Sequence, residues 1–312
     1  MSNTRPLIVI GGATAVGKSK LAIELAKQIN GEIISADSIQ VYRYMDIGTA
    51  KPTKEEMNEI KHHMVDVVDP DEDFSVAVYQ KICKECISCV IKSGKIPILV
   101  GGTGFYINSV IYDNEFSEET INLDYRHGLY ECAKEKGNEY LHDMLTKIDP
   151  ESAVQVHFNN VKRVVRAIEF FNTTGIKISE HNAVERSRSF AYDVKFFIAN
   201  MNREKLYSKI NKRVDQMLGD GLLEEVRGLL AMGYTSNLTS MQGIGYKELI
   251  PYINGEVSLE DAASKLKQNT RHYAKRQLTW FRNQTEAIWF DTGERNIEEI
   301  VNEQKRILEE GI

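Results

Sequence analysis

The octapeptide Gly12-Ala13-Thr14-Ala15-Val16-Gly17-Lys18-Ser19 constrains this chain more than any other stretch. It fits G-x-x-x-x-G-K-[ST], and its flanks suit the pattern. The apolar run Leu7-Ile8-Val9-Ile10 precedes it, and Leu21, Ala22, Leu25, Ala26 and Ile29 follow at helical spacing. A strand, a glycine turn and a helix in that order make a phosphate cradle, because loop amides and the helix N-terminus point at anionic oxygens. In such a loop Lys18 reaches the terminal phosphate and Ser19 offers its hydroxyl to Mg²⁺. The loop implies a bound di- or triphosphate. Taken alone it favours ATP or GTP.

A phosphate loop commits the first third of the chain to α/β structure. Ile33–Ala36 and Ile96–Val100 are further strand candidates, the second ending at Gly101-Gly102-Thr103-Gly104. Continuous apolar strands separated by helices predict a parallel sheet covered on both faces. Ligands of such sheets bind beyond the carboxyl ends of the strands. The phosphate loop, the Asp37-Ser38 turn and the Gly101–Gly104 turn are therefore expected to meet at one edge. From Ser117 to Phe190 the pattern turns helical, polar and strand-poor, with Asp124–Lys136 and Val161–Asn172 as its best helices. Val194–Ala199 then reads as a strand again, followed by helices to about Gly233. A long helix over Leu259–Arg282 and a last strand at Ile288–Asp291 complete the pattern. The expected organisation is a P-loop NTPase-like α/β core over 1–116 and an inserted helical domain over 117–190. Residues 191–312 then bring a return strand and C-terminal helices.

The chain has 312 residues, ample for a large core, and no apolar run long enough to span a membrane. Met1–Arg5 carries no secretory apolar region, so a cytoplasmic address is expected. The net charge of −6 weighs against nucleic acid as a partner, but binding depends on where cations cluster. Ala262–Thr285 contains no acidic residue. It carries Lys265, Lys267, Arg271, His272, Lys275, Arg276 and Arg282, interleaved with Tyr273, Trp280 and Phe281. Cys83, Cys86 and Cys89 have the spacing of an iron–sulfur run, yet Phe74–Lys92 reads as a helix on which they are small buried side chains. His62-His63 reads as a helix-end or loop feature.

Asp37 follows a strand at the ligand edge. That position suits a group that holds Mg²⁺ through water or orients a nucleophile, and equally a helix N-cap. The stretch Ser35–Arg43, which starts at the end of the second strand and continues into Met45–Pro52, is too polar and glycine-bearing to be a packing strand; within this region lie the runs Ile34-Ser35-Ala36-Asp37-Ser38-Ile39-Gln40-Val41-Tyr42-Arg43 and Asp46-Ile47-Gly48-Thr49-Ala50-Lys51-Pro52. Together with the phosphate loop, Val100–Tyr106 and Thr270–Arg282, they resemble the tRNA dimethylallyltransferase family, in family order and over nearly the whole chain.

The resemblance implies transfer of a dimethylallyl group from dimethylallyl diphosphate to N6 of the adenosine directly 3′ of the tRNA anticodon, with release of pyrophosphate. It implies that Gly12–Ser19 holds a prenyl diphosphate instead of ATP, with Mg²⁺ on Ser19. Asp37 becomes the general base. Thr103 matches a threonine near the leaving oxygen, and Arg213 an arginine on the diphosphate. Without the resemblance, Arg213 reads as an exposed helix arginine. Ser38, Ile39 and Gln40 are placed to read the extruded base beside Asp37. Lys162 and Arg163, with Arg166 three to four residues on along the same helix, together with Arg126, are expected to grip the anticodon stem-loop; on pattern alone they also suit a solvated basic face. Gln242 and Lys247 match another tRNA-contacting stretch, and Arg271, Lys275 and Arg276 join it from the basic helix. Two positions depart from the family: Ala13 stands where Pro is frequent, and Asn160 where Asp is frequent. No zinc finger follows, so the bacterial form, acting as a monomer, is expected. A P-loop small-molecule or nucleotide kinase is the competing enzyme, and an RNA-binding protein using the loop as a switch is the non-enzymatic one. The first lacks an arginine-bearing lid here; the second leaves Asp37 and Thr103 without a task.

Overall fold

The computed structural model describes residues 6–112, 122–186, 189–284 and 287–310. Met1–Arg5 and Ser117, the expected start of the inserted domain, lie outside them. The chain divides into two compact units, Met1–Asp113 with Phe190–Ile312, and Asn114–Ser189.

The first unit is built on a six-stranded sheet: β1 (Pro6–Gly12), β2 (Gly31–Ala36), β3 (His62–His63), β4 (Ile96–Gly101), β5 (Asp193–Asn200) and β6 (Ile288–Asp291). The order is β3-β2-β4-β1-β5-β6, and every pairing is parallel. Along β1 the side chains alternate between two cores. Ile8 and Ile10 join α1 (Lys18–Ile29), whereas Leu7 and Val9 join α3 (Val76–Lys92) and α4 (Gly104–Ile111) on the other face. Helix α1 buries Leu21, Ala22, Ile23, Leu25 and Ala26, and each large aliphatic side chain so buried contributes about 2 kcal/mol. The short α2 (Lys54–Glu59) starts with a capping box between Thr53 and Glu56.

His62-His63 is not a helix end. It forms the edge strand β3, whose registers are Ile33 to His62 and Ile34 to His63. A two-residue strand has no periodicity to announce it. It is held by His63, whose Nε2 lies 2.6 Å from the buried Glu32 carboxylate. The cysteine expectation is also corrected in part. All three lie on α3, but Cys83 is buried, Cys86 half-buried and Cys89 exposed. At about 100° per residue, each step of three drifts roughly 60° around the helix, so the third thiol leaves the core face.

The second unit contains α5 (Leu123–Lys136), α6 (Asn138–Ile148), α7 (Pro150–Gln155), α8 (Val161–Thr174) and α9 (Ile178–Arg186). Leu129, Leu141, Leu145, Val164, Val165 and Ile168 form its core. Asp149 fixes the corner between helices. Its two oxygens accept from the amides of Ser152 (3.0 Å) and Ser179 (2.9 Å) and from both serine hydroxyls (2.7 Å each). Burial alone would push this carboxyl's pKa up; the hydrogen bonds outweigh it and hold the value below the ordinary aspartate range. Asp149→Ala is expected to destabilise the protein by about 2–4 kcal/mol, because buried donors lose their acceptor; calorimetry would read this. The carboxylate's contribution is present above the unfolded pKa, near 4, and is lost as pH falls through the lower folded value. An acid-unfolding midpoint unchanged in the variant would contradict the assignment.

The remaining helices belong to the first unit: α10 (Arg203–Gly219), α11 (Leu222–Ala231), α12 (Ile250–Ile253), α13 (Leu259–Phe281) and α14 (Ile297–Glu310). Val41, Tyr42 and Met45 pack with Val214, Val226, Tyr246, Leu249 and Leu266 in a third core, which anchors the loop after β2 to these helices. Among the described residues no helix is long and apolar enough to cross a membrane.

Candidate active site

The strand ends β1, β2 and β4 bring three loops together. The Thr103 amide donates to Ala36 O (3.2 Å), and the Ser38 amide donates to Thr103 Oγ1 (3.2 Å). Helix α13 closes over them. Gln277 Oε1 accepts from the Thr14 amide (2.9 Å), and its Nε2 donates to Gly102 O (3.0 Å). The glycines of the Gly101–Gly104 turn are spacers for this closure. A Cβ on Gly102 would lie 2.1 Å from Gln277 Nε2, and one on Gly104 would lie 2.2 Å from the Trp280 ring.

Two adjoining cavities open here. The smaller, about 90 Å³, is polar; Lys18, Ser19, Ser35, His62 and Arg213 are among its lining. The larger, about 300 Å³, carries an apolar wall of Ile39, Ile210, Val214, Met217, Ile244 and Leu266. Asp37, Thr14, Thr49, Arg213 and Tyr273 border both.

The phosphate loop turns as the sequence requires. Gly17 has φ +100°, a left-handed value open to glycine, and no Cβ neighbour would lie within 4 Å, so the residue serves conformation and not clearance. Ala13 and Val16 are fully buried and anchor the loop; Gly12, Ala15 and Gly17 shape it, and Thr14, Lys18 and Ser19 face the cavities. Lys18 Nζ donates to Ala13 O at 3.3 Å. Burial, reinforced by the positive charge of Arg213, pulls the Lys18 pKa down to about 8, while Asp37 opposes them. Burial also lowers the Arg213 pKa, again against the pull of Asp37. Arg213 is therefore not an exposed helix arginine: it is half-buried on α10 and turned to both cavities. Two cations held against desolvation, with one carboxylate near them, form a site that gains free energy from an added anion.

Asp37 divides its work between its two oxygens. Oδ1 accepts from the amides of Ile39 (2.9 Å) and Gln40 (3.4 Å), capping the turn. Oδ2 makes no hydrogen bond among the described residues. Tyr273 sits beside this carboxylate with its hydroxyl against Thr103 and Gln277; burial and the Asp37 charge push its pKa up to about 12, so the phenol keeps its proton.

Several expected ligand-reading residues have other occupations. Gln40 accepts from Ser35 Oγ (2.9 Å) and donates to Thr49 O and Ala50 O (3.2 Å each), so its amide braces the loop instead of reading a base. Ser38 and Ile39 do line the larger cavity, as do Gln242, Lys247 and Arg276. Arg271 and Lys275 lie on the α13 face opposite Tyr273. Arg271 donates to Asn211 on α10 (2.7 Å), and Lys275 is exposed. Glu225 was not singled out from the sequence. Its carboxylate accepts from the amides of Asp46 (2.9 Å), Ile47 (2.7 Å) and Gly48 (3.1 Å) and from Tyr246 Oη (2.7 Å), fixing the strip that borders the cavity.

In the second unit, Lys162, Arg163 and Arg166 are exposed on α8. Arg126 departs from the expectation of a free cation. Its guanidinium makes a paired contact with the buried Glu169 carboxylate, at 3.0 and 2.8 Å. Arg166 approaches the same carboxylate at 3.7 Å. Neutralising Lys162 and Arg163 is expected to weaken RNA binding and to flatten its salt dependence by up to ~0.7 for each RNA phosphate that is no longer neutralised. Arg126→Ala is expected to lower the melting temperature with the slope nearly intact, since it strands a buried charge. Filter binding across a salt series separates the two outcomes.

Among the described residues no group of three or more His, Cys, Asp or Glu is disposed to hold a metal ion. Ser19 presents an exposed hydroxyl at the start of α1 beside Lys18. That fits Mg²⁺, which binds through few protein groups together with substrate phosphates.

The IPP transferase family pattern matches residues 40–284. The chain is 50% identical over 307 residues to a tRNA dimethylallyltransferase of Lachnoclostridium phytofermentans, covering 98% of each. It is 52% identical to that of Alkaliphilus oremlandii, covering 91% of each. Among solved structures, the tRNA isopentenylpyrophosphate transferase of Staphylococcus epidermidis superposes with a TM-score of 0.73 at 44% identity, over 98% of this chain and 99% of that one. A eukaryotic dimethylallyltransferase acting on tRNA gives 0.78 at 31% identity, over 93% of this chain and 75% of that one. With the family pattern matched over residues 40–284 and about half its residues identical to two of these enzymes along nearly its full length, the chain belongs to the tRNA dimethylallyltransferase (IPP transferase) family.

Proposed function

We propose that this protein transfers the dimethylallyl group of dimethylallyl diphosphate to N6 of the adenosine 3′-adjacent to the anticodon in tRNA, releasing pyrophosphate. The observation that carries this reading is the joining of the two cavities at Asp37: a cationic chamber at the phosphate loop opens onto an apolar wall. A kinase would have to fill that wall with a nucleobase or an acceptor. An allylic diphosphate has its charge at one end and a branched hydrocarbon at the other, which matches both chambers.

The adenine N6 lone pair attacks C1 of the allyl group, and the C1–O bond breaks with its electron pair leaving on pyrophosphate. Lys18, Arg213 and the loop amides stabilise the charge that develops on the leaving oxygens. Thr103, whose Oγ1 accepts from the Ser38 amide, is assigned to the leaving oxygen by the family resemblance. Asp37 accepts the N6 proton through Oδ2 as the new bond forms. Ser19 would hold Mg²⁺, which would supply charge neutralisation to the leaving group. The extruded base enters past Ser38, Ile39, Gln242 and Arg276. Extraction from a single-stranded loop costs a few kcal/mol. Lys162, Arg163 and Arg166 hold the anticodon stem-loop. The enzyme works as a monomer.

Incubation of unmodified tRNA with labelled dimethylallyl diphosphate, with ATP in parallel, tests the assignment. Label is expected in the tRNA, with one pyrophosphate released per transfer. Phosphate release from ATP with no labelled tRNA would replace this reading with the kinase.

A further inference from the structure

We propose that Gln277 is a positioning residue for the leaving-group site, aligning the phosphate loop with the turn that presents Thr103. The inference rests on the transferase reading above. Beyond the strand ladder that ends at Gly11 and Gly101, the hydrogen bonds joining these two loops among the described residues are those of the Gln277 amide. Its oxygen takes the Thr14 amide and its nitrogen reaches Gly102 O, so one flat group spans both backbones at fixed separation. The side chain is 6% exposed, and Gly102 carries no Cβ that would displace it. One turn earlier on α13, the Tyr273 hydroxyl rests on Thr103 and on Gln277 itself.

The bridge matters because Lys18 and Thr103 act on the same leaving group from different loops. If the loops drift apart, each still folds, but the donors no longer converge on the oxygens that gain charge. Errors of about 1 Å in such alignment cost up to ~100-fold in rate. The Ile39 and Gln40 amides are capped by Asp37 and not by Gln277, and the cations assigned to the stem-loop lie on α8, so tRNA affinity changes little when the bridge is lost even though the Ser38 amide follows Thr103.

The test compares wild type with Gln277→Met, which keeps the length and removes both hydrogen bonds, and with Gly102→Ala, which pushes the amide away from the other side. Single-turnover label transfer is measured with both substrates saturating, and tRNA binding by filter retention. Both variants are expected to transfer roughly 10- to 100-fold more slowly with tRNA affinity within about twofold of wild type. Gln277→Glu, which keeps an acceptor for Thr14 and adds a negative charge, is expected to bind pyrophosphate at least about tenfold more weakly than Gln277→Met in calorimetry without tRNA. Gly102→Ala carries the rate test if the methionine form does not fold. Transfer rates within about twofold of wild type, or a parallel loss of tRNA affinity, would overturn the proposal. Wild-type transfer in the same assay carries the transferase reading independently, so its failure is distinguishable from failure of the bridge.

Discussion

Asp37→Asn should abolish most of the turnover while leaving the turn around it intact. The asparagine keeps an oxygen for the Ile39 and Gln40 amides that Oδ1 now serves. It loses the basic second oxygen. General-base assistance is worth about 10²–10⁴-fold, and the loss is expected in kcat with tRNA binding retained. Asp37→Ala removes both functions, so it is expected to show the same rate loss together with a drop in stability of about 1 kcal/mol or more, read as a lower melting temperature. The pair of variants separates chemistry from scaffold, which the alanine alone does not. Near-wild-type turnover in the asparagine variant would make Asp37 a capping residue and nothing else.

The second large effect is at Lys18. Lys18→Met is expected to slow transfer by about 10²–10³-fold, the range for removing one donor aimed at developing charge. Its pH behaviour follows from its setting. Burial, with Arg213 beside it, brings the free enzyme's ammonium down to about 8. The protonated form binds the diphosphate, so kcat/KM for that substrate is expected to fall as pH rises through about 8. A bound diphosphate stabilises the ammonium, which moves the same limb in kcat to higher pH. Protons are accordingly taken up on pyrophosphate binding near pH 8, a quantity calorimetry in two buffers measures. In Lys18→Met the alkaline limb disappears. A limb that persists belongs to another group.

The strands, the phosphate loop and the meeting of three loops at one sheet edge were legible because each rests on local pattern: short apolar runs, glycine turns and helical spacing. What was not legible rests on partners far apart in the chain. Arg126 reads as a free cation until α8 brings Glu169 against it, 43 residues later. Gln277 reads as one polar residue on a basic helix, yet its oxygen is committed to an amide 263 residues away. Gln40 has the right position for base recognition and commits its amide to Ser35, Thr49 and Ala50, partners that only the folded loop brings to it. Glu225 gave no signal at all, since a carboxylate on a helix surface is the commonest of residues until three backbone amides turn toward it. Arg213 is similar: the local pattern alone favours solvent, and only its place on α10 turns it to both cavities.

The central strand has consequences for how the protein comes into being. Strand β1 pairs with β4 on one side and β5 on the other, and the 76 residues of the second unit are threaded between those two partners. At roughly 5–20 residues per second on the ribosome, the second edge of β1 stays unpaired for about five to twenty seconds after the first is zipped. During that interval an apolar strand with open hydrogen-bonding groups is available to any neighbouring chain. The helical insert has its own core and can fold while the sheet waits, so slow decoding across it would lengthen exposure without helping the sheet. Newly made protein is thus most vulnerable to mispairing at the midpoint of its synthesis, and a chaperone that shields β1 would act there and not at the end.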